Sequence, residues 1–273
     1  QDIAITINGT NDVPEVVSEV ETSTSEDSGL VTLNLLDGVS DTDMSDSLSV
    51  NVTSINLSSG DDSGIEINSD GTLSIDPNAY TALPEGADEV ITFNYDVVDS
   101  GGASVQQTAS ITINGANDTP TIGGVAFGLV EEDQNVIEGS LTAEGSLSIT
   151  DVDAGEAAFQ AGIINGQYGS LEIDASGSWT YTANNADPDI QGLGDGQVLT
   201  DTIMVQSADG TTQDIAITIN GTNDVPLITG SSQASLSEDG SVDLDGNLVA
   251  AGQLLITDVD AGEAAFQAGI ING

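Results

Sequence analysis

The residues of this chain that could do chemistry are acidic and amide side chains repeated at a fixed spacing. Asn-Asp pairs recur every 106 residues, at Asn11-Asp12, Asn117-Asp118 and Asn223-Asp224. Each pair follows an alternating apolar stretch and an Asn-Gly step, and each precedes a proline, which cannot continue a strand ladder. Carboxylate and amide oxygens are ligands that Ca²⁺ prefers. The pattern therefore predicts a calcium-binding joint between domains, repeated along the chain.

Two further acidic motifs occur once in each repeat. The first is a Glu-Asp pair, found at Glu26-Asp27, Glu132-Asp133 and Glu238-Asp239. The second is an Asp-x-Asp motif, whose members are Asp41 and Asp43, Asp151 and Asp153, and Asp258 and Asp260. Alternate residues of an extended chain point the same way, so the two carboxylates of such a motif could hold one ion. The competing interpretation is that these residues only form turns and protect exposed strand edges.

Chain length indicates which joint two of these groups serve. The last strand of the first repeat, Ser104–Ile113, spans about 33 Å, so Asp99 lies at the end opposite Asn117 and near the preceding joint. By the same reasoning Asp209 lies toward the joint at Asn117 and Asp118.

The Glu-Asp pair is expected at the other end of its repeat. Glu26 follows Asp12 by 14 residues, which reach about 46 Å when extended. We therefore expect Glu26 and Asp27 beside the following joint, at Asn117. A kink at Glu26 would reverse the assignment, and the Asp-x-Asp motifs are not assigned to either end.

The charge of the chain limits its partners. It has 46 Asp and Glu residues, no Lys, Arg or His, and a net charge of −46. No basic patch exists for phosphate groups, which excludes nucleic acid as a plausible partner, and an anionic membrane surface would repel the chain. Neutralising charge must come from solution, either by salt screening or by bound divalent ions. Both conditions favour a location outside the cell. Cysteine is absent, so no disulfide braces the fold.

Strand patterns predict an all-β fold of antiparallel sandwiches. Val90–Val98 alternates with period two, and Ile65–Ile75 indicates a hairpin with a turn at Asp70-Gly71. A second hairpin is predicted around Asp174–Gly177, with Trp179 and Tyr181 on one face of its second strand. We interpret Trp179 as a core anchor rather than a ligand-stacking residue. Frequent turns between short strands are typical of a sandwich.

The spacing also predicts the domain plan. Residues 1–11 would be the last strand of a preceding repeat, 12–117 and 118–223 two whole repeats, and 224–273 the beginning of a third. Residues 1–14 recur unchanged as 213–226, and residues 150–166 recur as 257–273. We therefore expect the chain to be an excerpt of a longer array whose domains are arranged end to end as a rod.

These motifs carry a family resemblance that covers nearly the whole chain. The ending Ile215–Pro226, the segment Thr150–Glu156 and the hairpin residues Gly177–Tyr181 resemble the VCBS repeat of giant secreted bacterial adhesins, including RTX-type ones. Ser25–Gly29 and Leu35–Asp43 resemble bacterial cadherin-like repeats, although the first repeat lacks the Trp-x-Tyr hairpin. The resemblance implies Ig-like or cadherin-like sandwiches in tandem, with Ca²⁺ at their junctions.

The sequence favours a structural role. His, Cys, Lys and Arg are absent, and the carboxylates stand at repeat ends rather than in one aromatic-lined cleft, so we expect no enzyme. We expect spacer repeats of a secreted bacterial adhesin or surface fibre, at the cell surface, stiffened by Ca²⁺ and supporting cell attachment and biofilm formation. Their partners would be neighbouring repeats.

Two alternatives remain open. One is a carbohydrate- or fibre-binding module that stacks its ligand on Trp179, Tyr181 and Tyr168. The other is self-assembly of like chains into a fibre, in which residues 1–11 of one chain are added as a strand to the third repeat of another.

Overall fold

The computed structural model describes residues 2–238, 240 and 242–271. The chain forms two compact units: the first extends to Pro120 and includes Thr150–Ala157, and the second comprises Thr121–Ile149 and continues from Ala158. The Thr150–Ala157 segment, which carries an Asp-x-Asp motif of the second sequence repeat, therefore lies with the first unit. The repeat boundaries at residues 117 and 223 stay predictions from the sequence.

The first unit contains ten short strands and one turn of 3₁₀ helix. The strands are β1 (Glu15–Val16), β2 (Val20–Ser25), β3 (Val31–Asn34), β4 (Val39–Ser40), β5 (Ser49–Val50), β6 (Asn56–Ser59), β7 (Ile65–Ile67), β8 (Thr72–Ile75), β9 (Asp88–Val98) and β10 (Ser104–Asn114), and the 3₁₀ helix is Pro77–Tyr80.

Two sheets of the first unit share one core. One has the order β2-β10-β9-β5, with β6 also paired to β9, and the other has the order β3-β8-β7. The alternation predicted for β9 is confirmed, because Ile91, Phe93, Tyr95 and Val97 are buried. They pack with Leu73 and other residues of the second sheet, which makes this unit a β-sandwich.

The described residues of the second unit form ten strands and a short helix. Its elements are β11 (Thr121–Gly124), β12 (Phe127–Glu131), β13 (Ser140–Thr150), β14 (Gly162–Asn165), β15 (Gly169–Ile173), β16 (Ser178–Asn184), α1 (Pro188–Gln191), β17 (Val198–Gln206), β18 (Thr212–Asn220), β19 (Leu227–Gly230) and β20 (Leu254–Thr257).

The core of the second unit is built around Trp179. A five-stranded sheet, β11-β13-β16-β15-β14, faces a three-stranded sheet, β12-β18-β17, and β19 pairs with β20. Trp179 is buried and its indole N–H donates to the carbonyl of Val125 at 2.9 Å, as expected of a core anchor. Gly145 lies against the indole ring, where a Cβ would approach Trp179 to 2.3 Å. Tyr181 is also buried.

Both predicted hairpins are confirmed, but the pairing is not entirely antiparallel. Strands β7 and β8 pair antiparallel across the Asp70 turn, and β15 and β16 pair across the Asp174 turn. Each unit contains a parallel pair: β2 with β10, and β12 with β18. A parallel pair requires a long crossover, and nearly the whole sandwich lies between its two strands. An early strand therefore ends at the same edge as the closing strand.

The strand predicted over residues 1–11 is absent from its described part. Residues 213–220, which repeat this sequence, lie in β18 between β12 and β17, and Ile217 is fully buried. The equivalent Ile5 is 82% exposed and residues 2–14 form no strand. Identical residues thus form a strand only where strands on both sides bind them. Among the described residues, no helix combines the length and apolar character needed to cross a membrane.

Candidate calcium sites

Parallel pairing brings Glu26 to the joint that follows its own strand. Ser25 and Asn114 are paired at the ends of β2 and β10, and the backbone N–H of Glu26 donates to the carbonyl of Asn114 at 3.0 Å. The Glu26 carboxylate accepts from the N–H of Ala116 at 2.7 Å and from that of Leu83 at 3.3 Å. Glu26 is only 1% exposed, so its charge is held inside the joint.

The Asp-x-Asp motif of the next repeat meets the same joint within the first unit. Asp153 accepts a hydrogen bond from the N–H of Asp118 at 2.8 Å, and its own N–H donates to Asp151 at 3.0 Å. A backbone bond from Ala154 to the carbonyl of Ala82, at 3.1 Å, attaches the loop. The motif that the sequence left unassigned therefore lies beside the Asn-Asp pair that precedes it.

The second unit repeats this geometry at the next joint. Glu132 follows β12, whose end pairs with Asn220, and its carboxylate accepts from the N–H of Thr222 at 3.2 Å. Asp260 accepts from the N–H of Asp224 at 2.8 Å, and its own N–H lies 3.2 Å from Asp258. The loop is attached by a backbone bond from Ala261 to Gly192 at 3.0 Å.

A third copy of part of this arrangement lies near the beginning of the chain. Asp43 accepts from the N–H of Asp12 at 2.7 Å and donates its own N–H to Asp41 at 2.8 Å. The side-chain amide of Asn11 donates to Asp99 at 2.8 Å, so the structure brings Asp99 to this joint. Asp99 is buried.

Buried carboxylate oxygens without a hydrogen-bond donor mark all three joints. Among the described residues they include Asp41 Oδ2, Asp46 Oδ2, Glu132 Oε1, Asp151 Oδ2, Asp153 Oδ1, Asp224 Oδ2 and Asp260 Oδ1. Glu132 is 0% exposed, and Asp153 and Asp260 are each 2% exposed. A buried anion without a partner is costly, so these oxygens require a counter-charge that the chain, lacking Lys, Arg and His, does not supply.

The carboxylate of Asp201 is also buried, yet its oxygens have hydrogen-bond donors, so burial alone does not explain the missing donors at the joints. Asp201 accepts from the N–H groups of Gln167, Tyr168 and Gly169 at 2.8 to 3.1 Å and from the hydroxyl of Tyr181 at 3.0 Å. This group is satisfied by the protein and closes a hairpin turn. The carboxylate oxygens at the joints differ in being grouped and in having no hydrogen-bond donor.

Burial, and then repulsion between carboxylates, raises the pKa of two joint carboxyls. Burial, followed by the charges of Asp153, Asp27 and Asp151, raises the pKa of Asp118. Burial, followed by the charge of Asp133 and then those of Asp260 and Asp258, raises the pKa of Asp224.

The same causes act on Glu132. Burial is the largest cause of its raised pKa, the hydrogen bond from Thr222 opposes it, and the charges of Asp224, Asp133 and Asp260 add to it. Asp27 and Asp133, the second members of their pairs, therefore act on the joints that follow them.

These residues fit a calcium ion by their chemistry. The donors are carboxylate, amide and carbonyl oxygens, and the sequence offers neither thiolate nor imidazole. Hard oxygen ligands suit Ca²⁺, which takes six to eight of them, better than they suit zinc or copper. The three acidic motifs of each joint supply several carboxylates from two successive sequence repeats.

The glycine of the joint motif allows the chain to pass close to the preceding loop. A Cβ on Gly115 would lie 2.3 Å from the carbonyl oxygen of Pro84, and one on Gly221 would lie 2.4 Å from the carbonyl oxygen of Leu193. A Cβ on Gly9, the equivalent residue near the beginning of the chain, would meet nothing within 4 Å. The glycine is therefore required where a folded repeat precedes the joint.

One candidate ligand was missed from the sequence. Asp46 offers a carboxylate oxygen that lies, with one oxygen each from Asp41 and Asp99, in a group whose members are all within 4.8 Å of one another. Its backbone N–H donates to the carbonyl of Asp43 at 2.9 Å, which turns the loop back on itself.

A signal for this residue was present in the spacing. An acid follows the first Asp of each Asp-x-Asp motif by five residues, as Asp46, Glu156 and Glu263. Backbone bonds equivalent to that of Asp46 join Glu156 to Asp153 at 3.2 Å and Glu263 to Asp260 at 3.3 Å.

Some predicted residues are not brought into a carboxylate cluster. The side-chain amides of Asn117 and Asn223 donate to the carbonyl of the Asp that follows each, at 3.0 and 2.7 Å. Asp209 lies in the second unit, where it accepts from Ser207 and Thr211. Its association with the Asn117 joint stays a prediction. Glu238 is exposed, and Asp239 lies outside the described residues.

The sandwiches and their acidic joints define a class of tandem cadherin-like repeats. Residues 10–114 match the family described as cadherin-like domain, and residues 117–221 match the family described as bacterial cadherin-like domain. The chain therefore carries two cadherin-like repeats, of which the one at residues 117–221 is of the bacterial type. Repeats of this class have structural and adhesive roles.

Solved structures with a similar chain course are distant in sequence. The chain is similar to PcdhgB3 EC1-4, at 15% identity over 92% of this chain and 60% of that one, with a TM-score of 0.39. It is similar to Protocadherin gammaB7 EC3-6, at 14% identity over 92% and 57% with a TM-score of 0.45, and to human CDH23 EC21-23, at 12% over 89% and 78% with a TM-score of 0.38. The chain thus spans about three fifths of the first two structures. No curated protein matches the chain.

Proposed function

We propose that this chain is a calcium-stiffened spacer of a secreted bacterial adhesin or surface fibre, and that Ca²⁺ binds at its joints. The observation that carries the proposal is the grouping of orphaned, buried carboxylate oxygens where three acidic motifs meet. Glu132 Oε1 and Asp260 Oδ1 are both buried without a donor at one such joint, and Asp153 Oδ1 is buried without one at another. Bound Ca²⁺ would supply the positive charge that the sequence lacks.

The ion would act by joining carboxylates from two successive sequence repeats. At one joint Glu26 would provide a ligand before the Asn-Asp pair, Asp118 one within it, and Asp151 and Asp153 two after it. At the next joint the corresponding residues are Glu132, Asp224, Asp258 and Asp260. Neutralising these groups would remove their repulsion and limit bending. A row of such repeats would hold a terminal binding domain away from the cell, which would serve attachment and biofilm formation.

This role requires no catalysis and fits a location outside the cell. High extracellular calcium would keep weak sites loaded, since sites in extracellular modules often bind at 10⁻⁴ to 10⁻³ M. The partners of each repeat would be its neighbours in the same chain. The VCBS-like and RTX-type context is part of the proposal, supported by the endings at Pro120 and Pro226.

Calorimetric titration of the chain with CaCl₂ after chelator treatment tests calcium binding directly. We expect saturable binding of more than one ion, and binding to be weakened at one joint by Asp153→Asn and at the other by Asp260→Asn. Glu144→Gln, on an exposed strand position away from the joints, is the matched control and should leave the titration unchanged. Absence of saturable heat, or equal effects of Glu144→Gln and Asp260→Asn, would overturn the proposal.

A further inference from the structure

The two best-formed joints differ in how the second acid of the Glu-Asp pair is held. Asp133 Oδ1 accepts from the side-chain amide of Asn185 at 2.6 Å and from that of Gln191 at 3.1 Å. The backbone N–H of Asp133 donates back to the side-chain oxygen of Asn185 at 3.0 Å. Two amides thus fix one carboxylate oxygen and the backbone beside it, which leaves Asp133 Oδ2 without a hydrogen bond from the described residues.

The equivalent residue at the other joint has no such support. Within the described residues, Asp27 makes one hydrogen bond, from its backbone N–H to Ser25 Oγ at a long 3.4 Å, and its carboxylate accepts none. Asp27 follows Glu26 as Asp133 follows Glu132, so the comparison is between matched positions 106 residues apart. The side chain of Asp27 keeps rotational freedom that ion binding would have to remove.

A longer segment between a strand and the helix that follows it in the second repeat explains the difference. Strand β8 ends at Ile75, and Asp76 caps the following 3₁₀ helix at once. Strand β16 ends at Asn184, but the cap of α1 is Asp187, so two extra residues stand between strand and helix. Asn185 is the first of these residues, and its backbone N–H is anchored to the carbonyl of Gly139 at 3.0 Å.

The loop that carries Asp133 is also set in an uncommon backbone conformation. Asp133, Asn135 and Glu138 have φ values of 58°, 52° and 51°, in the left-handed region that few residues other than glycine adopt. Asp and Asn tolerate this region better than most residues. The reciprocal bonds between Asp133 and Asn185 hold the loop in a conformation that local preference alone does not favour.

We propose that Asn185 and Gln191 are positioning residues that orient the Asp133 carboxylate toward the ion bound by Glu132, Asp224 and Asp260. This inference rests on the proposed calcium function. The site itself is indicated independently by the orphaned oxygens of Glu132 and Asp260, which are 0% and 2% exposed. A ligand fixed in advance loses less entropy on binding, so the joint at Asp224 binds calcium more tightly than the joint at Asp118.

The expected size of the effect follows from residues that support metal ligands in other proteins. Loss of such a partner typically weakens metal affinity by about 10-fold to 100-fold. We therefore expect two classes of calcium site in the chain, with the tighter class at the joint that follows residues 117–221. Across a range of calcium concentrations, successive joints would load one after another rather than together.

A calcium titration of Asn185→Ala by calorimetry tests the inference. The tighter class should weaken by about 10-fold or more, while the weaker class stays unchanged. Asn78→Ala is the matched control, because Asn78 is an exposed asparagine in the 3₁₀ helix of the first unit whose amide donates only to Asp76. Melting curves in EDTA should show a single cooperative transition for both wild type and Asn185→Ala, which shows that the variant is folded.

A double-mutant cycle separates positioning from a merely structural role. If Asn185 acts through Asp133, its effect on calcium affinity disappears in the Asp133→Ala background. An effect of Asn185→Ala that persists without Asp133, or an unchanged affinity in Asn185→Ala alone, overturns the inference while leaving calcium binding intact. Failure of the wild-type chain to bind CaCl₂ would instead overturn the proposed function, and the inference with it.

Discussion

At the scale of single residues, Glu132 combines complete burial with one orphaned oxygen. Its other oxygen accepts from Thr222, and Asp133 and Asp224 lie close enough to raise its pKa further after burial. In the absence of a cation this carboxylate should oppose folding, and under the proposed function a bound Ca²⁺ would make it a ligand. Its contribution to stability should therefore change sign with calcium.

Glu132→Gln tests that change of sign. In EDTA the variant should melt at the same temperature as wild type or higher, because a neutral amide can still accept from Thr222 and can donate to Asp224. In CaCl₂ it should bind at least about tenfold more weakly, which corresponds to about 1.4 kcal/mol. Glu131→Gln, at the exposed neighbouring position, is the control. A variant that is destabilised equally with and without calcium would contradict the assignment of Glu132.

The raised pKa values of Asp118, Asp224 and Glu132 predict the dependence of stability on pH in chelator. A carboxyl whose pKa is higher in the folded state keeps its proton there after the unfolded chain has lost it. The folded state then binds more protons, and stability falls as pH rises. Their contribution is complete below the ordinary values of 3.8 and 4.5 and is lost as pH rises through the raised values.

Thermal melting in EDTA from pH 4.5 upward measures this dependence. We expect the melting temperature to fall with rising pH in EDTA. In CaCl₂ we expect it to rise, because calcium binds the deprotonated groups and protons compete with it. The lowered pKa of Asp99, where hydrogen bonds from Asn11 and Ala103 outweigh burial, acts only below this range. Parallel pH profiles in EDTA and CaCl₂ would contradict the prediction.

At the scale of elements, the parallel pairs place the acidic motifs. Because Ser25 is paired with Asn114, and Glu131 with Asn220, each Glu-Asp pair emerges beside the joint that follows the closing strand. The close approach of that joint to the preceding loop then depends on its glycine. No side chain fits where Gly115 passes the carbonyls of Leu83 and Pro84.

Gly115→Ala should therefore destabilise the first unit. Overpacking of this kind costs about 1–3 kcal/mol, measurable as a lower midpoint in urea unfolding. Gly9→Ala is the matched control, because it occupies the same place in the motif with nothing within 4 Å of its Cβ. Equal stabilities of the two variants would show that the close approach does not exist in solution.

Residues 2–14 and 214–226 have the same sequence, so their difference in structure comes from their surroundings and not from local preference. Ile217 is buried in a three-stranded sheet, whereas Ile5 is exposed in a segment without a strand. We expect backbone amides of residues 213–220 to exchange slowly with deuterium and those of residues 2–8 to exchange quickly. Similar protection of the two segments would contradict the structure at the beginning of the chain.

Whether a feature of this scale could be predicted from the sequence depended on how far apart in the chain the interacting residues are. The hairpins at Asp70 and Asp174 depend on residues close together in the chain, as does the alternation of β9. All three features were predicted correctly. The parallel pairing of β2 with β10 joins residues about 90 positions apart, which no local pattern encodes. The approach of Asp153 to Asp118 likewise joins residues 35 positions apart. Asp46 was missed because only its spacing of five residues marked it.

At the scale of the whole molecule, repulsion between carboxylates determines how closely parts of the chain can approach. A chain with a net charge of −46 and no Lys, Arg or His repels itself wherever carboxylates approach. Sodium chloride screens exposed charges over about 8 Å at 0.15 M and about 3 Å at 1 M, but it screens buried groups much less. Salt can therefore relieve surface repulsion without replacing an ion bound inside a joint.

Small-angle X-ray scattering of the chain in CaCl₂ and in EDTA, each at 0.15 M and 1 M NaCl, tests the central claim most directly. We expect calcium to reduce flexibility between repeats at both salt concentrations, and Asp153→Asn with Asp260→Asn to abolish the difference. Scattering curves that coincide in CaCl₂ and EDTA, or that differ only at low salt, would contradict the claim that calcium bound at the joints stiffens the chain.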